Sequence, residues 1–312
     1  KRFEDTIYGI IGAESPVVMQ IAAHSPHRRE NAFHTAKGIY RFLDAPEYEE
    51  QNLLLPIYEK AKKDLGHENE VVVVIDLSPW EKPYAKKMER LCKVEKKDKS
   101  GLTNGYVSVS TICIGEDIKR LGYFHLFANE PLSQNLEIRK AMEETNKLLP
   151  SGAKVIWVWD KGFDDGKNYE DIIGGDKEFI GRVYHNRKIT VKGSKTKLLD
   201  WGRTLPVKTR FKASIFIWGK RREIEVEISF GRCKWNTHQV YLLRSRIVKA
   251  EGINLEKIKE EDRGWWLLTN ICIKDEKSAF KVWRTYYKRW AIEDFFKFVK
   301  DGLMEEVSRA RR

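Results

Sequence analysis

Two short apolar runs, each followed by an aspartate, are the clearest feature of the hydrophobic pattern. The first is EVVVVID (70–76), which ends at Asp76, and the second is AKVIWVWD (153–160), which ends at Asp160. Continuous β-branched and aromatic runs of this length are typical of strands buried on both faces. An aspartate that ends a buried strand either caps a turn or contributes to a site, so both residues are candidates for chemistry.

Helical spacing dominates the chain before residue 70, and strand-like runs follow it. Within the first 69 residues, segments near 10–24, 32–47 and 52–66 keep a helical period. The Lys-rich residues 93–105 read as a mobile linker. In chain order, the further predicted elements are a hairpin (106–115 and 120–131), a helix from Ser133 to before Pro150, a strand (179–186), a basic β-rich segment (187–262) with a hairpin turn at 218–221, and a strand (264–270).

The segment YYKRWAIEDFFKFVK (286–300) predicts a last helix with two different faces. In a regular helix four polar residues fall within about 60° of one another. They are Tyr286, Arg289, Glu293 and Lys300. A separate apolar strip, typical of a helix docked on a core, contains Ile292, Phe295, Phe296 and Val299. A carboxylate flanked by cations and a hydroxyl suits phosphates and a metal; the alternative is a solvated face with ordinary charge pairs.

The net charge of the chain indicates what kind of partner it binds. The 312-residue chain has a formal net charge of +12, which favours a polyanion: DNA, RNA or an anionic membrane surface. Ten Trp and twelve Tyr residues interleaved with Lys and Arg favour nucleic acid. No run of 18 apolar residues, no secretory leader and no nucleotide-binding glycine motif is present, so we expect a soluble, cytoplasmic protein that needs no nucleotide cofactor. Because the first residue is Lys, we expect native sequence to be missing at the amino end.

The four cysteines form no CxxC pair, which gives no indication of a zinc site or a disulfide framework. They are Cys92, Cys113, Cys233 and Cys272.

The pattern Tyr286-x2-Arg289-x3-Glu293-x6-Lys300 resembles the YREK signature of prokaryotic insertion-sequence DDE transposases, the "insertion sequence four" family. Four fixed residues at three fixed spacings make a specific motif. Further similar segments are the first aspartate box (Asp76-Leu77-Ser78), the second aspartate box (Asp160-Lys161-Gly162-Phe163), the Trp-Leu-Leu-Thr-Asn strand before the signature helix (266–270) and an amino-terminal Tyr-Arg-Phe-Leu motif (40–43). Ser78 and Lys161 depart mildly from the commoner Thr and Arg.

The resemblance implies an α/β fold with a ribonuclease-H-like catalytic core, a β-rich insertion and a helical N-terminal region. Residues 1–69 would be a truncated helical region that binds the transposon end. Residues 70–186 and 263–312 would form the two parts of the core, with the signature helix in the second. Residues 187–262 would be the insertion.

The chemistry that the resemblance implies is cleavage of DNA at transposon ends and strand transfer into target DNA. Two Mg²⁺ or Mn²⁺ ions can activate the nucleophile, stabilise the leaving oxygen and neutralise the phosphate. Since hard cations require oxygen ligands, we predict that Asp76, Asp160 and Glu293 are the catalytic metal ligands. Asp164 and Asp165 are weaker candidates for the second aspartate.

Several cationic and aromatic residues would contact DNA in such an enzyme. Tyr286, Arg289 and Lys300 would bind phosphates near the cleaved end, and Arg41, with Arg28, Arg29 and Lys37, would bind the terminal repeat. The family also implies a hairpin intermediate and a flipped base stacked on an aromatic of the insertion. The candidates for that ring are Trp201, Trp218 and Trp235; for any single one, a core position is the alternative.

The expected partners are double-stranded DNA, as terminal inverted repeats and as target, and a second copy of the chain in a paired-end complex. We expect no membrane partner and a nucleoid-associated location in a prokaryotic cytoplasm. Two other functions stay open: a related metal-dependent nuclease that cuts without joining, and a catalytically inactive, domesticated DNA-binding protein. The presence of all three acids and all four signature residues counts against the inactive form.

Overall fold

The described residues form a mixed α/β structure built around one large sheet. In the computed structural model these residues are 2–13, 17–27, 31–43, 50–85, 91–128, 133–163, 170, 172, 177–217 and 220–302. Within them, no helix is both long enough and apolar enough to cross a bilayer.

The helices are α1 (Arg2–Ala13), α2 (Val18–His24), α3 (Ala32–Leu43), α4 (Glu50–Leu65), α5 (Ser133–Asn146), α6 (Leu198–Thr204), α7 (Glu276–Tyr287) and α8 (Trp290–Lys297). The strands are β1 (Glu70–Glu81), β2 (Cys92–Glu95), β3 (Leu102–Ile114), β4 (Lys119–Phe127), β5 (Lys154–Trp159), β6 (Glu178–Arg182), β7 (Lys188–Val191), β8 (Ser194–Lys197), β9 (Thr209–Ile217), β10 (Lys220–Trp235), β11 (His238–Ala250) and β12 (Trp266–Thr269). Short 3₁₀ turns follow β5 and β11, and a π-helical turn (Phe298–Gly302) follows α8.

The strand order across the sheet is β2-β3-β1-β5-β6-β12-β11-β10-β7-β8, with β4 paired to β3 and β9 paired to β10. Only the β1–β5 and β5–β6 pairs are parallel, and the other pairs are antiparallel. The strands of the basic segment join this same sheet, because β12 lies between β6 and β11. The segment that the sequence predicted as a β-rich insertion therefore extends the sheet.

Each face of the sheet covers its own hydrophobic core. We call the side that carries Val74 and Val158 the front face; α7 and α8 pack on it through residues such as Tyr286 and Ile292. The opposite side, the back face, carries Val73, Ile75, Trp157 and Trp159 and packs against α5. Because side chains alternate along a strand, the continuous apolar runs of β1 and β5 supply both cores, as the sequence predicted.

Several predicted elements are confirmed. β3 and β4 form the expected hairpin, α5 begins at Ser133, and β5, β6 and β12 lie where strands were predicted. The region before residue 70 is helical as predicted, although the predicted segment 10–24 corresponds to the end of α1 and to α2. A small core joins α2 to α3 through Ile21, Ala22, Ala36 and Ile39.

Two predictions about the region after Asp76 are wrong. β1 does not end at the aspartate but continues to Glu81, because β3 pairs with it as far as the Glu81–Gly105 register. The predicted mobile linker at 93–105 is instead a hairpin of β2 and β3. Its turn contains Lys99 at φ 58° and Gly101 at φ 140°, and its Lys-rich composition concealed the alternation that the pairing uses.

Candidate active site

The parallel register of β1 and β5 brings the two aspartates to the same level. Val74 lies opposite Val158, and the same offset places Asp76 level with Asp160. Neighbouring strands are about 4.8 Å apart, and residues two positions apart in a strand share a face. Both aspartates are therefore on the front face, beyond the last residues that pair β1 with β5.

Asp160 is held by contacts from three parts of the chain. Its Oδ1 accepts hydrogen bonds from the backbone N–H of Lys161 at 2.7 Å, from Nη1 of Arg182 at 3.4 Å and from the hydroxyl of Tyr286 at 3.4 Å. Arg182 comes from β6, the next parallel strand, and Tyr286 from α7. The Oδ1 of Asp76 accepts the backbone N–H of Leu77 at 2.9 Å. Both carboxyls are thus oriented before any ligand binds.

The helical segment over the acids is broken, so the prediction of one regular helix over 286–300 is wrong. α7 ends at Tyr287 and α8 begins at Trp290. Between them the backbone forms i to i−3 bonds, from Arg289 N–H to the Tyr286 carbonyl at 2.9 Å and from Ile292 N–H to the Arg289 carbonyl at 3.1 Å. This tighter turn changes the angle between successive residues. It lets Tyr286 and Ile292 both reach the front-face core, where each is fully buried.

Because of this break, the four signature residues do not share one exposed stripe. Tyr286 is fully buried and Arg289 is 7% exposed. The Nη2 of Arg289 lies 2.6 Å from Oε1 of Glu293, whose side chain is 42% exposed. The ammonium of Lys300 donates to the Pro79 carbonyl and lies 5.0 Å from the centre of the Trp80 ring. Phosphate binding by Tyr286, Arg289 and Lys300 stays a prediction, and the tyrosine hydroxyl reaches Asp160 instead.

Arg289 is the cation around which the three acids are arranged. Burial alone disfavours its charged form, but Tyr286, Asp160 and Glu293 raise the pKa of Arg289 above its usual value. Its guanidinium also lies over the Tyr286 ring, 5.8 Å from the centre. Burial, with the nearby Asp160 charge, raises the pKa of the Tyr286 hydroxyl. Tyr286 therefore stays a neutral hydrogen-bond donor.

The pKa of the half-buried Asp76 carboxyl is raised by burial and by the neighbouring acids. Loss of solvation raises the pKa of Asp76 to about 7, and the charges of Asp160 and Glu293 add to this effect. Arg289 and the Leu77 N–H act in the opposite direction but do not cancel it. Near neutral pH this carboxyl therefore gains or loses a proton readily.

Asp76→Asn is expected to stabilise the protein against heat in metal-free buffer at pH 8. Since the folded-state pKa of Asp76, about 7, is above its unfolded value of 3.8, the folded state binds the proton more tightly. Wild type therefore loses stability as pH rises from about 4 to about 7. Asparagine removes this penalty, and we expect Tm to rise by roughly 2–6 °C at pH 8 and to change little at pH 4. Calorimetry in EDTA, with the exposed Asp294→Asn as control, measures this; equal gains at both pH values would contradict it.

The carboxylates fit a hard divalent cation in chemistry, although their present arrangement is not a closed metal site. Among the described residues, no three His, Cys, Asp or Glu side chains gather closely enough to hold one ion. Glu293 is paired with Arg289, and Arg182 contacts Asp160. Carboxylate oxygens are the ligands that Mg²⁺ prefers. A cation would offset the charges of Asp160 and Glu293, which add to the effect of burial in raising the pKa of Asp76.

An apolar cavity of about 210 Å³ lies next to Arg182, and Asp76, Asp160 and Glu293 do not line it. Its lining includes Arg182, which also contacts Asp160, and three tryptophans: Trp265, Trp283 and Trp290. Trp265 and Trp283 stack with ring centres 5.4 Å apart. These rings were not among the aromatic residues predicted to stack on a flipped base. The available signal was position, because Trp265 directly precedes the strand before the signature helix and Trp290 follows Arg289.

The structure places the other sequence candidates away from the acids or outside the described residues. Trp201 packs against the back-face core, and Trp235 is 5% exposed and stacks on His238. Arg41 is exposed in the last turn of α3, and the ammonium of Lys37 lies over the Phe33 ring. Trp218, Asp164, Asp165, Arg28 and Arg29 lie outside the described residues.

Together, the fold and the site define a mixed α/β protein with two aspartates level on parallel strands and an Arg–Glu pair packed over them. No protein-family model matches the chain, and no curated protein matches it in a sequence search.

Proposed function

We propose that this chain is a DDE transposase of the insertion-sequence-four type, which cuts DNA at transposon ends and transfers the strand into target DNA. The observation that carries the proposal is the β1–β5 register, which brings Asp76 level with Asp160 on the face where α8 presents Glu293. Arg289, which forms an ion pair with the signature residue Glu293, is the buried counter-ion of these acids. This tertiary placement supports the choice of Asp76, Asp160 and Glu293 made from the sequence motif.

The order of the strands supports the ribonuclease-H-like core of the proposal. Three antiparallel strands, β4, β3 and β1, are followed by the parallel strands β5 and β6. The two aspartates occupy adjacent central strands, with helices on both faces. In this arrangement the sheet supplies a rigid base for the acids, and the helical segment can adjust the position of Glu293.

In the proposed reaction Asp76, Asp160 and Glu293 would hold two Mg²⁺ or Mn²⁺ ions. When bound, such ions supply an activated oxygen nucleophile and stabilise charge on the phosphate and the leaving oxygen. Tyr286 and Arg182 fix the Asp160 carboxyl from two directions. Arg289 provides positive charge inside the site, and its pairing with Glu293 can exchange as the acids converge. Water serves as the nucleophile for nicking, and a DNA 3′-hydroxyl serves for joining.

The aromatic cavity supports a place for the flipped base that the family resemblance implies. Trp265, Trp283 and Trp290 line it, and Arg182 joins it to Asp160. An unstacked base gains about 1–3 kcal/mol from stacking on an aromatic ring. We favour this cavity over Trp201 and Trp235, which pack into the back-face core.

The decisive experiment incubates the protein and Mg²⁺ with labelled duplexes that carry the terminal repeats of its own element, together with a target plasmid. We expect cuts at the repeat ends and joined products, formed by a complex of two chains and two ends. Cleavage without joining would favour a nuclease. Binding without any cleavage in Mg²⁺ or Mn²⁺ would favour an inactive DNA-binding protein and overturn the proposal.

A further inference from the structure

A basic hairpin lies at the end of the sheet, far from the candidate acids. β7 and β8 are the last two strands on that side. Residues 187–197, which include both strands, contain five cationic side chains and no acidic one. Lys188, Lys195 and Lys197 are exposed on these strands, and Lys192 is exposed in the turn. So many positive charges on one short hairpin repel one another, and their presence therefore needs a physical explanation.

The alternation of side chains places the three strand lysines on the front face. Ile189 belongs to the back-face core, and adjacent residues of a strand point to opposite faces. Lys188 therefore points to the front, together with Lys197, which lies directly opposite it. Lys195 lies opposite Thr190 and points the same way. The hairpin lysines therefore lie on the surface that continues the front face of the sheet.

Two cations of β10 continue this surface towards the centre of the sheet. Arg232 and Lys234 are exposed and alternate with the back-face residues Cys233 and Trp235. We call the resulting set the basic face: Lys188, Lys195, Lys197, Arg232 and Lys234. At about 4.8 Å per strand, it lies roughly 20–30 Å from Asp160 along the sheet. That span corresponds to roughly 6–9 base pairs of duplex at about 3.4 Å per pair.

The hairpin gives up stability to hold these charges. Lys188 and Lys197 form a directly opposed like-charge pair, which destabilises a strand pair. No carboxylate in the described part of the chain forms an ion pair with any of the hairpin lysines. Lys192 has φ 48° and Gly193 has φ 86°. Positive φ at both positions is typical of a two-residue hairpin turn, in which Asn-Gly is the preferred sequence. A lysine at such a position adds charge at a cost in backbone energy.

We infer that the basic face binds the phosphate backbone of duplex DNA that extends from the candidate active site across the front of the sheet. The position of the DNA relative to the acids rests on the proposed function. Lysine–phosphate contacts of this kind position a duplex without reading its bases. The basic face therefore sets affinity and orientation, and it leaves sequence recognition to other parts of the protein.

The test compares duplex binding by the full chain at several salt concentrations, in EDTA so that no cleavage occurs. The hairpin variant carries Lys188→Gln, Lys195→Gln and Lys197→Gln. The matched control carries Lys63→Gln on α4, Lys140→Gln on α5 and Lys147→Gln directly after α5; both helices pack on the back face. Each phosphate contact contributes about 0.9 to the slope of log K against log salt. We expect the hairpin variant to lose about 2–3 from that slope and on the order of 100-fold in affinity near 100 mM salt.

Two further variants separate binding from folding. Lys192 is exposed in the turn next to the basic face and adds one positive charge there. Lys192→Asn is expected to raise Tm, because asparagine suits the turn, while the loss of that charge lowers DNA affinity several-fold. The triple replacement of the strand lysines by arginine is expected to retain the wild-type slope. A purely structural role for these lysines would lower Tm and affinity together.

The outcomes distinguish this inference from the proposed function. A hairpin variant with the wild-type salt slope would overturn the inference, even if the wild-type protein cuts DNA. If the hairpin variant shows the expected slope loss but the wild-type protein never cuts transposon ends, the inference is retained and the transposase proposal is overturned.

Discussion

Asp160→Asn is expected to lower DNA cleavage by at least about 10³-fold while duplex binding changes by less than about threefold. Asparagine preserves the shape of the side chain and can still accept the Lys161 N–H, but it removes the negative charge that a divalent cation requires. The carboxyl lies on the rigid end of β5, level with Asp76. No neighbouring acid among the described residues occupies an equivalent position on the sheet, so the loss cannot be compensated locally.

Labelled-duplex cleavage and equilibrium binding, measured on the same preparations, check this expectation. Asp117→Asn is the control, because Asp117 is exposed in the β3–β4 turn on the same sheet. Asp76→Asn and Glu293→Gln should resemble Asp160→Asn in cleavage. If Asp160→Asn cuts at the wild-type rate, the assignment of the second aspartate is wrong.

The second large effect is expected from Arg289→Met, which removes the buried cation while keeping an apolar stem. Asp76, Asp160 and Glu293 then lose their internal counter-charge. Breaking such a buried arrangement costs about 3–5 kcal/mol. Since Arg289 lowers the pKa of Asp76, the loss of stability should be larger at pH 8, where the carboxyls are charged, than at pH 5. Cleavage should fall on the order of 100-fold, because Glu293 loses the residue that positions it.

Thermal unfolding with and without Mg²⁺ tests the counter-ion role of Arg289. Divalent cations should raise the Tm of Arg289→Met more than that of wild type, since they replace the missing positive charge. Adding Asp76→Asn to the variant should recover part of the stability in EDTA, because the two sites interact. The exposed Arg284→Met of α7 is the matched control. Equal Mg²⁺ effects on wild type, Arg289→Met and Arg284→Met would contradict this role.

The local pattern predicted most elements because their signals lie within a few residues. The apolar runs before Asp76 and Asp160 became β1 and β5, and the hairpin of β3 and β4 followed from alternation and a turn. Local pattern failed where pairing with a distant strand decided the outcome. β1 passes beyond Asp76 because β3 accompanies it, and the Lys-rich residues near 93–105 are held as a hairpin.

At the candidate site, too, local spacing predicted some features and tertiary contacts decided others. Spacing alone identified Tyr286, Arg289, Glu293 and Lys300 as a set. An ideal helix placed them on one stripe, but the i to i−3 turn after Tyr286 buries two of them and leaves Glu293 nearer the solvent. The aromatic cavity next to Arg182 was not predicted, since its walls come from β6, β9, β10, β11, the segment before β12, α7 and the start of α8. These lining residues are far apart along the chain, so no short segment of sequence shows that they share one cavity.

The sequence by itself determined which residues are candidates for the chemistry: two aspartates next to buried apolar runs, a glutamate with its signature partners, and a strongly basic chain. These are properties of residue type and spacing. Only the tertiary structure decided that Asp76 and Asp160 lie level on one face, that Arg289 lies buried among the acids, and that the basic segment continues the same sheet. The reason is physical: strand register, sheet order and the packing of helices depend on contacts between residues that are far apart along the chain.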